Sequence, residues 1–223
     1  MSVLTIERKI LEKNDQIAGE LREEFNSRGI FALNLLSSPG SGKTSLIENI
    51  MKFPGGQFNA AVITADIQTD NDAKRIDRLG VPVVQIVTNG MCHLEANLVR
   101  DAFRQLKMEN ANFLIVENVG NLVCPAGFDL GESLKAVMLS VTEGDDKPLK
   151  YPAMFRNASV LVINKIDLIP YLDSSVITIR ENALSINPYL TIFETSCKTG
   201  EGIEKLCDWI GLHCKKNEAA KEN

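Results

Sequence analysis

The sequence predicts a doubly wound α/β sandwich on a mainly parallel sheet, and two observations carry that expectation. From Phe31 onward, short apolar runs alternate with amphipathic stretches, which is the rhythm of successive β-α-β units. Runs such as AAVIT and SVLVI are apolar without interruption, as strands covered on both faces are, whereas a half-solvated strand would alternate. The bulk numbers agree. In 223 residues, 44% are hydrophobic and 24% charged, which suits one compact domain with some decoration and excludes disordered, collagen-like and coiled-coil classes.

The elements can be justified in order. Ile6, Ile10, Ile17, Leu21 and Phe25 recur at steps of four or seven with charges between them, and Gly29 is a stop. Residues 1–29 are therefore expected to be a leader helix packed on the core. The main domain, 30–214, opens with a strand from Phe31 to Leu36, a Gly/Ser turn and the helical stretch TSLIENIMKF. AAVIT precedes DAKRIDRL, and a strand from Val83 to Val87 precedes HLEANLVRDAFRQLK. Strands follow at Phe113 to Val116, within LKAVMLSV, at Ser159 to Ile163 and at Thr191 to Glu194, the last leading into IEKLCDWI. Gly, Pro and charged residues mark loops from Val123 to Leu134 and from Glu143 to Pro152. Residues 215–223, KKNEAAKEN, read as a flexible tail.

Composition also limits function. No apolar run approaches the ~18 residues of a membrane-spanning helix. The first segment mixes charge among its apolar residues from Glu7 onward, so no membrane association and a cytoplasmic location are expected. A net charge of −5 argues against broad binding to nucleic acid. Five scattered cysteines do not make a disulfide framework, and two histidines do not make a histidine-rich metal store.

Two motifs point to a nucleotide. The first strand runs into Ser37-Ser38-Pro39-Gly40-Ser41-Gly42-Lys43-Thr44, a G-x-x-x-x-G-K-[ST] phosphate loop with serine at its first position. Gly40, Ser41 and Gly42 would turn backbone N–H groups toward the phosphates at a helix N-terminus, with Pro39 and Ser45 flanking them in the same nucleotide site. Lys43 would reach the β- and γ-phosphates, and the Thr44 hydroxyl would ligate Mg²⁺. The later strand ends in Asn164-Lys165-Ile166-Asp167, where the Asp167 carboxylate can accept from N1–H and the 2-amino group of guanine, selecting GTP or GDP over adenine nucleotides. Lys165 can lie over the base, and Asn164 can tie this loop to the phosphate loop. Ser196, Cys197 and Lys198 would support the base from the next strand end.

A third constellation is softer. Cys92 and His93 follow one strand, and Cys124 lies beyond the strand ending at Glu117. If those strands are parallel neighbours, the three emerge at the nucleotide edge, and thiolate with imidazole suits Zn²⁺ or Ni²⁺. Three ligands are one short of a closed site, leaving a position for water or a partner. Read separately, the cysteines are ordinary small residues and His93 a polar group at a helix start.

The runs SSPGSGKTSL, ITADIQTDNDAKRI, TNGMCHLEA, ENVGNLVCPAGFDLGE, VTEGDDKPLKYP, NKIDL and TSCKTGEGI, in this order, resemble the HypB family of GTPases, which help deliver nickel to nickel-iron hydrogenase. The resemblance implies the phosphate-loop α/β fold of the SIMIBI class, shared with signal-recognition and MinD-like NTPases. It implies a slow GTPase, a homodimer, and partners of two kinds, a HypA-like accessory protein and the hydrogenase large subunit. By the same resemblance, Cys92, His93 and Cys124 match the family's nickel or zinc site. Glu117 with Gly120 stands where many GTPases carry D-x-x-G, acting on Mg²⁺. Asp66 and Asp72 match carboxylates of the first switch, holding Mg²⁺-bound water or orienting the attacking water, and Lys147 or Lys150 would meet the phosphates of this subunit or of the other, the alternative being that both lysines are merely solvated. No arginine stands in an obvious finger position in cis. No cysteine precedes Cys92 and no histidine precedes His93, so a second tight nickel site and a storage role are not implied. The rival readings are a UreG-type GTPase of urease maturation, and a non-hydrolysing adaptor whose GTP and zinc only hold a dimer together.

Overall fold

The computed structural model describes residues 6–55, 58–108 and 110–221. Among them, strands β1 (Phe31–Ser37), β2 (Ala60–Asp66), β3 (Val83–Val87), β4 (Phe113–Glu117), β5 (Leu134–Ser140), β6 (Val160–Asn164) and β7 (Thr191–Thr195) form one sheet. Its order is β3-β2-β4-β1-β5-β6-β7, and every pair is parallel. Parallel neighbours need crossovers, so helices occupy both faces. On one face lie α1 (Ile6–Ser27), α4 (Ala96–Phe103), α6 (Pro152–Asn157) and α7 (Val176–Ile186). On the other lie α2 (Lys43–Lys52), α3 (Asn71–Asp77) and α8 (Ile203–Lys221). The strand pleat divides the core accordingly: Phe31, Leu33 and Leu35 of β1 join α2 and α8, while Ala32 joins α1 and α4.

The leader helix is part of this core. Ile17, Leu21 and Phe25 are buried, and the Phe25 ring stands edge-on to Phe103 of α4 at 4.9 Å between centroids. Asn14 donates to the Asp129 carbonyl and accepts from the Ala96 N–H, and Arg22 reaches the Asp129 carboxylate at 2.6 Å. The side chains of Ile6 and Ile10 lie outside the described residues.

Three expectations need correction. Residues 215–221 are not a free tail but the end of α8, where Asn217 donates to the Ile30 carbonyl at 3.0 Å and Glu218 accepts from Asn112 at 2.8 Å. Their alanine, lysine and glutamate are good helix formers, so nothing local stops the helix. The 143–152 segment holds helical turns, one of them α5 (Lys147–Lys150), instead of open loop. Finally, the sequence reading places no element between the strands ending at Ile163 and starting at Thr191, where the structure has α7; Ser175 begins this helix by accepting from the Thr178 N–H at 3.3 Å.

The topology gathers function at one edge. Strand order reverses about β1, with β4 and β5 on either side, and the carboxyl ends of all strands face the same way. Register brings Glu117 level with Leu35 and Thr64, and lines up Ser140, Asn164 and Thr195. This is the crevice where open α/β sheets bind ligands. No helix among the described residues is long and apolar enough to cross a membrane.

Candidate nucleotide and metal site

The turn between β1 and α2 has the geometry of a phosphate cradle. Gly40 and Gly42 hold φ of 78° and 105°, backbone that L side chains rarely adopt. A Cβ at Gly42 would stand 2.8 Å from Asn164 Nδ2, so glycine is required there on two counts. Gly120 is seated against the loop as well, since its Cβ would meet Pro39 Cα at 3.0 Å. Lys43, Thr44, Ser45, Asp66, Asp72 and Glu117 line the adjoining cleft, of about 360 Å³, together with Pro39, Gly40, Gly42 and Gly120.

The charges in this cleft are poised. Lys43 Nζ donates to Ser37 Oγ at 3.0 Å, and its burial holds its pKa below the ordinary lysine value against the pull of Glu117 and Asp72. Glu117 accepts from the Thr44 hydroxyl at 2.8 Å. Its burial pushes its carboxyl up to about 7, despite Lys43 and that hydrogen bond. The other Glu117 oxygen is buried with no hydrogen-bond partner. A hydroxyl and a carboxylate with a spare oxygen form the hard donor set that fits Mg²⁺. Asp66 is ionised more easily than usual: partial burial acts to raise its pKa, but the N–H groups of Gln68 and Thr69 bond its carboxylate and prevail.

At the ends of β6 and β7 a second cluster forms. Asn164 donates to the Ser41 carbonyl at 3.0 Å and accepts from the Cys197 N–H at 3.3 Å, joining phosphate loop and β7 loop as expected. Lys165, at φ 63°, donates to the Gly40 carbonyl at 2.8 Å. Ser196 Oγ donates to Asp167 Oδ1 at 2.6 Å and also accepts from the Lys198 N–H at 3.3 Å. A carboxylate fixed in this way can receive two N–H groups from one base edge.

Cys92, His93 and Cys124 converge, each offering a ligand atom within 4.8 Å of the others. The His93 ring stacks on Phe128 at 4.0 Å, and desolvation lowers its pKa against the pull of Glu95, which favours the neutral imidazole that binds metal. Asn121 of the Glu117–Cys124 loop donates to the Cys92 carbonyl at 3.2 Å, and Asn118 accepts from the Leu94 N–H at 3.3 Å. Thus the loop that carries Glu117 and Cys124 is bonded to the loop that carries Cys92 and His93.

Lys150 is the expected residue that stays apart. It is exposed and pairs with Asp146 at 2.6 Å, one turn earlier on the same helix, outside the cleft of its own chain. Lys147 likewise lies over the Tyr151 ring at 5.4 Å. Two residues were not anticipated. Glu143 accepts from the phosphate-loop Ser41 hydroxyl at 2.6 Å and from the Ser140 N–H at 2.9 Å; the S-x-x-E spacing from Ser140 is a capping box legible in the sequence. Arg75 reaches the phosphate cleft from α3, and in sequence it looks like any charge on an amphipathic helix.

A parallel three-layer sheet with this loop, this lysine and a carboxylate at the neighbouring strand end defines a phosphate-loop nucleotide-binding protein. Solved structures of the signal recognition particle receptor FtsY from Elizabethkingia anophelis share this fold, with TM-score 0.56 at 15% identity over 94% of this chain and 78% of that one. The chain belongs to the CobW/HypB/UreG family, whose nucleotide-binding-domain model matches residues 31–194. The hydrogenase maturation factor HypB of Rhizobium leguminosarum bv. viciae is 49% identical over 208 residues, covering 93% of this chain and 70% of that protein. HypB of Escherichia coli (strain K12) is 45% identical, with 93% and 72% covered. HypB from Helicobacter pylori, solved in complex with nickel, superposes with TM-score 0.88 at 41% identity, over 92% of this chain and 96% of that one.

Proposed function

We propose that this chain is a GTP-hydrolysing metallochaperone that takes nickel at Cys92, His93 and Cys124, with zinc as the competing ion, and releases it during nickel-iron hydrogenase maturation. It acts in the cytoplasm as a homodimer whose assembly follows the nucleotide, with a HypA-like accessory protein and the hydrogenase large subunit as partners. The observation that carries this reading is the single loop from Glu117 to Cys124, which spans both sites and is hydrogen-bonded to the cysteine-histidine loop. Family membership and the nickel in the Helicobacter pylori neighbour support it.

In this reading Asp167 selects guanine, and the amides of residues 40–45 bind the phosphates. Lys43 neutralises charge that develops on the β- and γ-phosphates as water attacks in line. Thr44 and Glu117 would hold Mg²⁺, directly or through water, and the ion would supply positive charge to offset that of the phosphates. Asp66 and Asp72, which line the same cleft, would hold Mg²⁺-bound water or orient the attacking water. Lys147 and Lys150, which do not line the cleft of their own chain, would be available to the phosphates of a second subunit. Binding is reciprocal: if GTP changes nickel affinity by some factor, nickel changes GTP affinity by the same factor.

Two measurements test the proposal. GTP turnover should be slow in the wild type and absent in Lys43→Ala; equal rates would leave only a non-hydrolysing adaptor. Nickel titration of the GTP, GDP and nucleotide-free forms should give distinct affinities, and Cys92→Ala/Cys124→Ala should lose the site. Equal affinities in all three forms would refute the coupling. A second role in urease maturation is favoured by relatives named hydrogenase/urease maturation factor HypB, such as that of Helicobacter hepaticus at 43% identity.

A further inference from the structure

The phosphate cleft contains a second cation besides Lys43, to which the mechanism above gives no role. Arg75, in the middle of α3, lines the same cleft as Lys43, Thr44, Asp66 and Glu117. Its Nη2 lies 3.1 Å from the hydroxyl of Ser45, the residue after Thr44. Its Nε and Nη2 donate to the two oxygens of Glu48 at 3.0 and 2.9 Å, and Nη1 is 3.5 Å from Asp72. The guanidinium is thus parked on a carboxylate at the rim of the cleft with its side chain still 38% exposed, room enough to move.

An arginine that served only to clamp α3 to α2 would gain nothing from being beside the phosphate loop. Here the surrounding carboxylates have other work once a nucleotide is bound. Asp66, Asp72 and Glu117 all act on the cation and water of the reaction, so Glu48 alone is left to retain Arg75. A triphosphate then offers the guanidinium fork a stronger partner, because its oxygens carry more charge and accept two parallel N–H bonds.

We infer that Arg75 is a catalytic residue supplied in cis: it leaves Glu48 and donates its fork to the non-bridging γ-phosphate oxygens during hydrolysis. This inference rests on the reading that the chain hydrolyses GTP. In the step, a water oxygen bonds to the γ-phosphorus while the bond from that phosphorus to the β,γ-bridging oxygen breaks. The electron pair stays on GDP, and the water's proton passes to the phosphate or to solvent. Arg75 exchanges no proton; it stabilises the charge on the transferring group.

The test compares single-turnover GTP hydrolysis, GTP and GDP affinity, and binding of GDP with aluminium fluoride in wild type, Arg75→Ala, Arg75→Lys, Glu48→Gln and Lys43→Ala. Arg75→Ala should lose about 10²-fold or more in kcat with KM little changed, the loss seen when one charge-stabilising donor is removed. It should bind GDP normally but no longer form the aluminium fluoride complex. Arg75→Lys should stay slow, since a point charge lacks the fork, while Glu48→Gln, which frees the arginine, should keep kcat at the wild-type level or raise it. Equal losses in Arg75→Ala and Glu48→Gln, tracking a common fall in melting temperature, would mean a structural clamp and overturn the inference. So would a change confined to KM. Turnover that Lys43→Ala abolishes and Arg75→Ala leaves intact would sink the arginine alone, whereas no turnover in the wild type would remove the hydrolysis reading and this step with it.

Discussion

Glu117 is the residue on which most depends. Its carboxyl is pushed from its ordinary 4.5 up to about 7 by burial, so the folded chain without nucleotide keeps a proton that the unfolded chain releases. The contribution of this group to stability is therefore full below pH 4.5, falls as pH rises through the interval to about 7, and is flat above it; the loss is ~3 kcal/mol. Glu117→Gln should remove this slope. In urea denaturation without nucleotide or metal, the variant should exceed the wild type at pH 8 and match it near pH 4. A difference that does not change with pH would refute the assignment. Lys43, Thr44 and Asp167 were legible in the sequence because each belongs to a fixed spacing that only a strand-turn-helix can satisfy. Arg75 was not, because a cation on a helix carries no sign of what it faces. Lys150 could not be placed from the sequence for a related reason: a basic loop implies reach, and within its own chain Asp146 four residues earlier gives that lysine a partner.

Among the elements, continuous apolar runs were the most readable feature, since a strand covered on both faces leaves no polar positions to confuse it. Helices were harder. The β-branched start of α7 imitates a strand, and its helical state depends on Ser175 and on packing of Ile179 and Ala183 against the β5–β6 core. The β7 loop is held more rigidly than its sequence suggests. Gly202 has φ of 74°, and a Cβ there would stand 1.9 Å from the Glu194 carbonyl oxygen. Gly202→Ala should cost about 3 kcal/mol or more in urea denaturation and weaken guanine-nucleotide binding, because the Ser196–Cys197 segment would shift with it. Phe25→Ala in α1 should cost about 3–5 kcal/mol, since that ring is fully buried against α4. Near-neutral stability would mean that the leader is an appendage and not core.

Across the whole molecule, the two candidate sites share one backbone segment and few independent ways to move. Pro39 lies where a Cβ on Gly120 would fall, Asn121 holds the Cys92 carbonyl, and Asn118 holds Leu94 N–H, so in the proposed mechanism a displacement at the phosphates would be passed toward the thiols. The expected ratio of nickel affinities between GTP and GDP forms is about 5–150, the usual range of coupling between sites. Asn121→Ala should reduce that ratio toward one while GTP turnover changes little, as read by nickel titration beside a phosphate-release assay. The shared segment was legible in the order of residues, since Glu117 and Cys124 follow one strand; the bonds of Asn118 and Asn121 were not, because they reach groups more than twenty residues away along the chain.

The way α1 is buried also bears on how the protein is made. Phe25 emerges from the ribosome long before Phe103, the ring it will meet, and before Asp129, the partner of Arg22. At ~5–20 residues per second, the apolar face of that helix waits on the order of ten seconds for its cover. Closure comes later still, when Asn217 reaches the Ile30 carbonyl beside it. During synthesis, then, the first helix waits with its apolar face uncovered, and slowing translation between the codons for Phe25 and Asp129 should lower the yield of native protein more than slowing it anywhere after.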